Sequence, residues 1–302
     1  MKPNAPAAVL AAFVADSLAL GVHWVYDTTQ IASRYGRVTG PVKPELAAYH
    51  GTKDKGDLTH YGDQTLVLLE SVVACGRFDA ADFAARWKAL FDGYTGYVDG
   101  ATRATLAQLA QGVAAQQAGS GSTDLGGAAR IAPLLICHGH DPASLAAAAR
   151  AQTSLTHHHP LVMESAAFFA RLARDGLCGT EPRKALEGAI GDRTIDPKVR
   201  DLAAKGIASR DRDTLTAIAG FGQMCDAAAA IPATVHLIAR YPDSLENALV
   251  ENVMAGGDSA ARGMVAATVL GAWLGIDAIP RPWQDDLKAG AGIQALLAVA
   301  DS

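Results

Sequence analysis

Two Gly-Asp steps are the likeliest seats of chemistry in this chain: Tyr61-Gly62-Asp63-Gln64-Thr65 and Gly256-Gly257-Asp258-Ser259. Each aspartate opens a helical pattern, where it can cap the first turn and where the helix dipole favours its negative charge. Capping accounts for one such residue. Two of them, one before an amphipathic helix and one before an apolar helix, suggest a second use. If the helix starts meet, the gathered charge calls for a divalent cation, and carboxylate oxygens suit magnesium.

The loop Gly119-Ser120-Gly121-Ser122-Thr123-Asp124-Leu125-Gly126-Gly127 leads into a helix that carries Arg130. Glycines let backbone amides approach a ligand, and a helix start attracts phosphate. The loop matches neither GxGxxG nor GxxxxGK[ST], so a flexible surface loop is the alternative. His138 and His140 close a helical pattern, where cations are favoured, and no HExxH or cysteine partner accompanies them. His157 opens a turn before Pro160 and could face a ligand. His23, beside Trp24, reads as a packed corner, or as an imidazole that titrates near neutrality in a cleft. There is no GxSxG.

Helices must position these groups. Pro6 suits the entry of a helix over 7–20, and Leu66, Leu69 and Val73 share one helical face after Asp63. Further helices are expected over 79–91, 101–117, 127–137, 143–152, 160–174, 182–190, 197–205, 223–239, 243–254, 258–275 and 284–299. Residues 28–60 are the least regular stretch. No period-two alternation calls for strands, so we expect one all-α domain over residues 1–302.

Composition agrees. Of 302 residues half are hydrophobic, 6% aromatic and 19% charged, which excludes disorder, collagen and a disulfide scaffold. The 26 basic and 31 acidic residues leave a net charge of -5 without a basic stripe, so no nucleic-acid partner is expected. Cys75, Cys137, Cys178 and Cys225 form no CxxC and read as buried, reduced thiols of a cytoplasmic protein. Asp16 interrupts the apolar run Ala7–Ala15, and Gly263–Ile276 is short for a span, so no membrane partner is expected either.

Taken in order, the motifs resemble those of the ADP-ribosylglycohydrolase family, which includes the J-type lens crystallins. Asp16-Ser17-Leu18-Ala19-Leu20-Gly21-Val22-His23 is similar to the family's GDALGxxxE, and Gly62-Asp63-Gln64-Thr65 to its TDDT. The run from Asp124 to Leu134 follows GNGAAMRxxPL, Thr156-His157 before Pro160 resembles THxxP, and Gly256-Gly257-Asp258 begins GGDTDT. The resemblance implies an all-α orthogonal bundle whose cleft holds two magnesium ions. It also implies a small-molecule or protein-linked ADP-ribosyl-like substrate, cleaved at ribose C1″. By the same analogy Gly126 and Gly127 cradle a diphosphate, and Arg130 and His157 complete the substrate site.

The departures from that pattern fall on the metal ligands. Gln64 stands for the second aspartate of TDDT, Asp258-Ser259-Ala260-Ala261 for DTDT, and His23 for the acid after the first helix. A reduced site is therefore expected, with one magnesium ion or none, held by Asp63, Asp258 and the Gln64 carbonyl oxygen. Asp63, Asp258 and His23 are the expected catalytic groups, His23 as general base if its pKa lies near the working pH. Arg262, one turn after Asp258, would form an ordinary ion pair or supply a fixed charge where a metal sits. The rival expectation is a catalytically inactive ADP-ribose-binding or crystallin-like structural protein.

Overall fold

The computed structural model describes residues 4–300. Within them the chain forms 17 α-helices and no strand. At the centre lies Ala5–Leu20, with every side chain from Ala7 to Leu20 buried, as a helix that is apolar on all faces except for Asp16 and Ser17 requires. It packs along Ser259–Leu274, which is buried from Ser259 to Ala272. Pro160–Leu177 covers the second of these helices and carries Pro142–Ser154 outside it, while Ala227–Arg240 and Leu245–Met254 close the remaining sides.

Aspartates start many of these helices. Asp79, Asp99, Asp141, Asp196, Asp213, Asp226 and Asp258 each accept from a first-turn amide. Much of the chain's acidity is therefore structural.

Where the expected helices and the structure differ, local chemistry explains it. The run expected over 101–117 stops at Ala110, and Gly112 takes φ +82° before a 3-10 turn at Ala115–Gln117. Pro133 separates Gly126–Ala129 from Leu134–His138. Two short helices, Thr28–Tyr35 and Thr214–Phe221, form on the caps of Asp27 and Asp213, and the sequence reading passed over both. The thiols are free, as expected, but Cys75 and Cys178 are exposed because they lie at helix ends. Among the described residues, no helix is long and apolar enough to cross a membrane.

Candidate active site

Three loop segments are stitched together by backbone hydrogen bonds beside the start of Ser259–Leu274. The amide of Leu125 donates to Cys225 O at 2.9 Å and that of Ala227 to Thr123 O at 2.8 Å. Asp258 N donates to Gln223 O at 2.8 Å, and Gly257 N to Val25 O at 2.8 Å. Gly257 has φ +66°, and a Cβ there would lie 2.1 Å from Gln223 O, so only glycine fits. Arg262 fastens the same turn, donating to Gly256 O at 2.6 Å, Gln223 O at 3.2 Å and Asn252 Oδ1 at 3.2 Å. Its guanidinium is spent on these groups rather than on the expected i,i+4 pair with Asp258.

The clamp brings Asp124, Cys225 and Asp258 side by side, one ligand atom of each lying within 4.8 Å of the others. Tyr61 bridges the carboxylates: its hydroxyl is 3.2 Å from Asp124 Oδ2 and 3.3 Å from Asp258 Oδ2. Burial and the neighbouring Asp258 push the Asp124 carboxyl up to about 7, and burial raises Asp258 as well. Burial and the same carboxylates hold the Tyr61 phenol well above its usual range, so it stays a donor.

A row of histidines backs this group. His23 Nε2 lies 3.1 Å from Asp258 Oδ1, and His23 Nδ1 lies 3.3 Å from His50 Nε2. His60 stacks 5.9 Å from His23 and sits 3.3 Å from Asp99 Oδ2. Burial, with the neighbouring His50 and His60, drives His23 well below its ordinary range, and burial takes His50 to about 3. The ring of His23 is thus neutral at working pH and does not titrate near neutrality as expected; it can relay a proton but is a weak base on its own. Trp24, held at φ +62° by a 2.8 Å bond from its amide to Gly257 O, forms a rim with Tyr49 and Tyr97 at ring distances of 5.1–5.2 Å. A left-handed tryptophan costs on the order of 1–2 kcal/mol, and such strain tends to gather at functional sites.

The other expected site residues go elsewhere. Asp63 does not join Asp258: its Oδ2 is 2.6 Å from Lys53 Nζ and accepts the Tyr94 hydroxyl. An ammonium stands where a shared cation was expected. Gln64 is no free ligand, because its Oε1 already accepts from Trp87 Nε1 at 2.7 Å and Arg130 Nη1 at 3.2 Å. Arg130 is wholly buried and braces the core, donating also to Thr156 Oγ1 at 2.5 Å and Gln152 Oε1 at 3.3 Å. Gly126 and Gly127 are each required by a neighbouring ring, since a Cβ would come 2.3 Å from Tyr61 and 2.7 Å from His157. His157 is buried with Nε2 unpartnered, and burial beside Arg130 takes it to about 3.

Beside the cluster opens a cavity of ≈ 400 Å³, lined by Ser120, Ser122 and Thr123 together with Asp124, Cys225 and Asp226. Sequence reasoning missed Tyr61, His50, His60, Asp124 and Cys225 as site residues. The nearest signal was Tyr61 standing two residues before Asp63.

The ADP-ribosylglycohydrolase family profile matches residues 3–302. The chain belongs to the ADP-ribosylglycohydrolase family. An uncharacterized protein of Archaeoglobus fulgidus is 25% identical over 255 residues, covering 82% of this chain and 81% of that one. A solved structure described as an ADP-ribosylglycohydrolase-related protein complex matches with TM-score 0.78 at 24% identity, over 98% of this chain and 96% of the other. It shares the fold. In this family member the donors implied for two magnesium ions do not fit such a pair: Asp63 is neutralised by Lys53, Gln64 is bonded twice, and alanines occupy positions 260 and 261.

Proposed function

We propose that this protein hydrolyses the glycosidic bond at ribose C1″ of an ADP-ribosyl-like or other ribosyl conjugate, through its own acid–base groups. The observation that carries this reading is a pair of carboxyl groups, Asp124 half-buried and Asp258 buried, bridged by Tyr61 and backed by His23, beside an open cavity rich in hydroxyls. Membership of the family supports the substrate class.

In the proposed reaction Asp258, with His23 behind it, orients a water and takes its proton as the oxygen attacks C1″. Asp124, whose pKa of about 7 leaves it partly protonated at neutral pH, gives a proton to the departing group as the C1″ bond breaks. The two residues thus divide the acid and base roles, as carboxyl pairs in unlike surroundings do. Ser122 offers its hydroxyl proton to the sugar or diphosphate, while Ser120 and Thr123, whose protons go to Thr156 O and Asp226 Oδ2, can accept from sugar hydroxyls.

The test is incubation of the purified chain with ADP-ribose linked through C1″ to nitrogen and to oxygen, with free ADP-ribose followed by mass spectrometry. Release from at least one conjugate is expected; no release from any overturns the reading. The missing carboxylates at Ala260 and Gln64 favour one rival, an ADP-ribose-binding protein without turnover. Heat of binding to ADP-ribose without release from any conjugate would identify it.

A further inference from the structure

We infer that Asp124, Cys225 and Asp258 form a mononuclear site for a thiophilic divalent cation, zinc being the type, which shares only Asp258 with the magnesium ligands the family pattern implies. Three observations converge on it. Two carboxylates and a thiol offer ligand atoms within 4.8 Å of one another, a gap that small side-chain rotations close around a tetrahedral ion with bonds of about 2.0–2.3 Å.

The charge is unbalanced. Among the described residues neither Asp124 nor Asp258 has a lysine or arginine within 4.0 Å, and the nearby Arg262 donates to carbonyls. Buried carboxylates need a proton or a cation. Finally, His23 Nε2 is fully buried and 3.1 Å from Asp258 Oδ1, yet makes no aligned hydrogen bond. An unsatisfied, fully buried nitrogen thus lies beside the ligand set.

The backbone prepares the site. Leu125 N to Cys225 O, Ala227 N to Thr123 O and Asp258 N to Gln223 O hold the three ligand-bearing segments before any ion arrives. Three protein ligands leave a fourth position open toward the cavity that Asp124 and Cys225 line. The sulfur selects zinc or cobalt over magnesium, which prefers oxygen alone. An ion bound there displaces the protons of Asp124 and of the Cys225 thiol to solvent and occupies a lone pair of Asp258, so on the reaction proposed above it inhibits turnover. Binding itself does not depend on that reaction.

The experiment is a titration of chelator-stripped full-length protein with cobalt(II), read by absorption. One equivalent should give a thiolate-to-cobalt charge-transfer band in the near ultraviolet. Cys225→Ser, checked for fold by circular dichroism, should lose that band although Cys75, Cys137 and Cys178 remain. Asp124→Asn should weaken binding by at least about tenfold. Zinc should displace the cobalt and magnesium should not. No band in the parent protein, an undiminished band in Cys225→Ser, or displacement by magnesium as readily as by zinc would overturn the assignment. If Cys225→Ser fails to fold, the parent band, the Asp124→Asn titration and the zinc–magnesium competition decide it alone.

Discussion

Asp16 ties the central helix to the turn that presents His60 and Tyr61, and its ionisation can be worked through. Its carboxyl is fully buried and accepts from Thr59 N at 2.7 Å and Thr59 Oγ1 at 2.5 Å. Burial raises its pKa from 3.8 to about 7, against the lowering effect of the two Thr59 bonds. Below about pH 4 the folded and unfolded chains both hold the proton, and the group costs nothing. Between there and pH ~7 the unfolded chain has released the proton while the folded chain keeps it. Stability then falls by about 1.4 kcal/mol per pH unit, and above pH ~7 a loss of about 4 kcal/mol is complete. Asp16→Asn cannot ionise, and its side-chain oxygen can still accept from Thr59 N. The stability of the variant relative to the parent should therefore rise by about 4 kcal/mol from pH ~4 to pH ~8. Urea unfolding at half-unit pH steps measures both curves. Parallel curves would refute the reasoning, because they would mean that Asp16 ionises in the fold as readily as in the unfolded chain.

Other substitutions test how the site is assembled. Gln64→Leu leaves the Trp87 indole and one Arg130 nitrogen without an acceptor, so chemical unfolding should show a loss of about 2–4 kcal/mol. Turnover per folded molecule should stay within an order of magnitude, and its collapse would return Gln64 to the reaction. Gly127→Ala drives a methyl to 2.7 Å from the His157 ring, with an expected cost of about 1–3 kcal/mol; a neutral melting temperature would show that the ring can step aside.

The helical class was legible because caps, apolar runs and family motifs are local features, but Asp63 is no cap: its helix starts at His60, and the Thr59 hydroxyl accepts from Tyr61 N. Asp258 caps its helix, accepting from Ala261 N, and also faces His23 and Tyr61 in the candidate site. The grouping around it was not legible. Residues 124, 225 and 258 meet through long-range backbone pairing and Tyr61 reaches the two carboxylates with its hydroxyl, contacts that leave no period in the sequence. Gln64 misled for a geometric reason. It preserves an oxygen where the family pattern has a carboxylate, but successive residues of a helix point about 100° apart. Gln64 thus faces Trp87 in the core while Asp63 faces Lys53. Asp63 and Asp258 were expected to share a cation; the structure gives Asp63 an ammonium and gives Asp258 the company of Asp124 and Cys225. Lys53 carried no warning, lying in a polar stretch that reads as a loop.

The central claim is that Asp258, backed by His23, performs the chemistry rather than merely capping a helix. Single-turnover release of ADP-ribose by Asp258→Asn, against the parent protein at matched circular dichroism, measures this most directly. An asparagine oxygen can keep the bond from Ala261 N but cannot take a proton, so release should slow by about 10²–10⁴-fold with the fold intact. Equal rates in the two proteins would contradict the account.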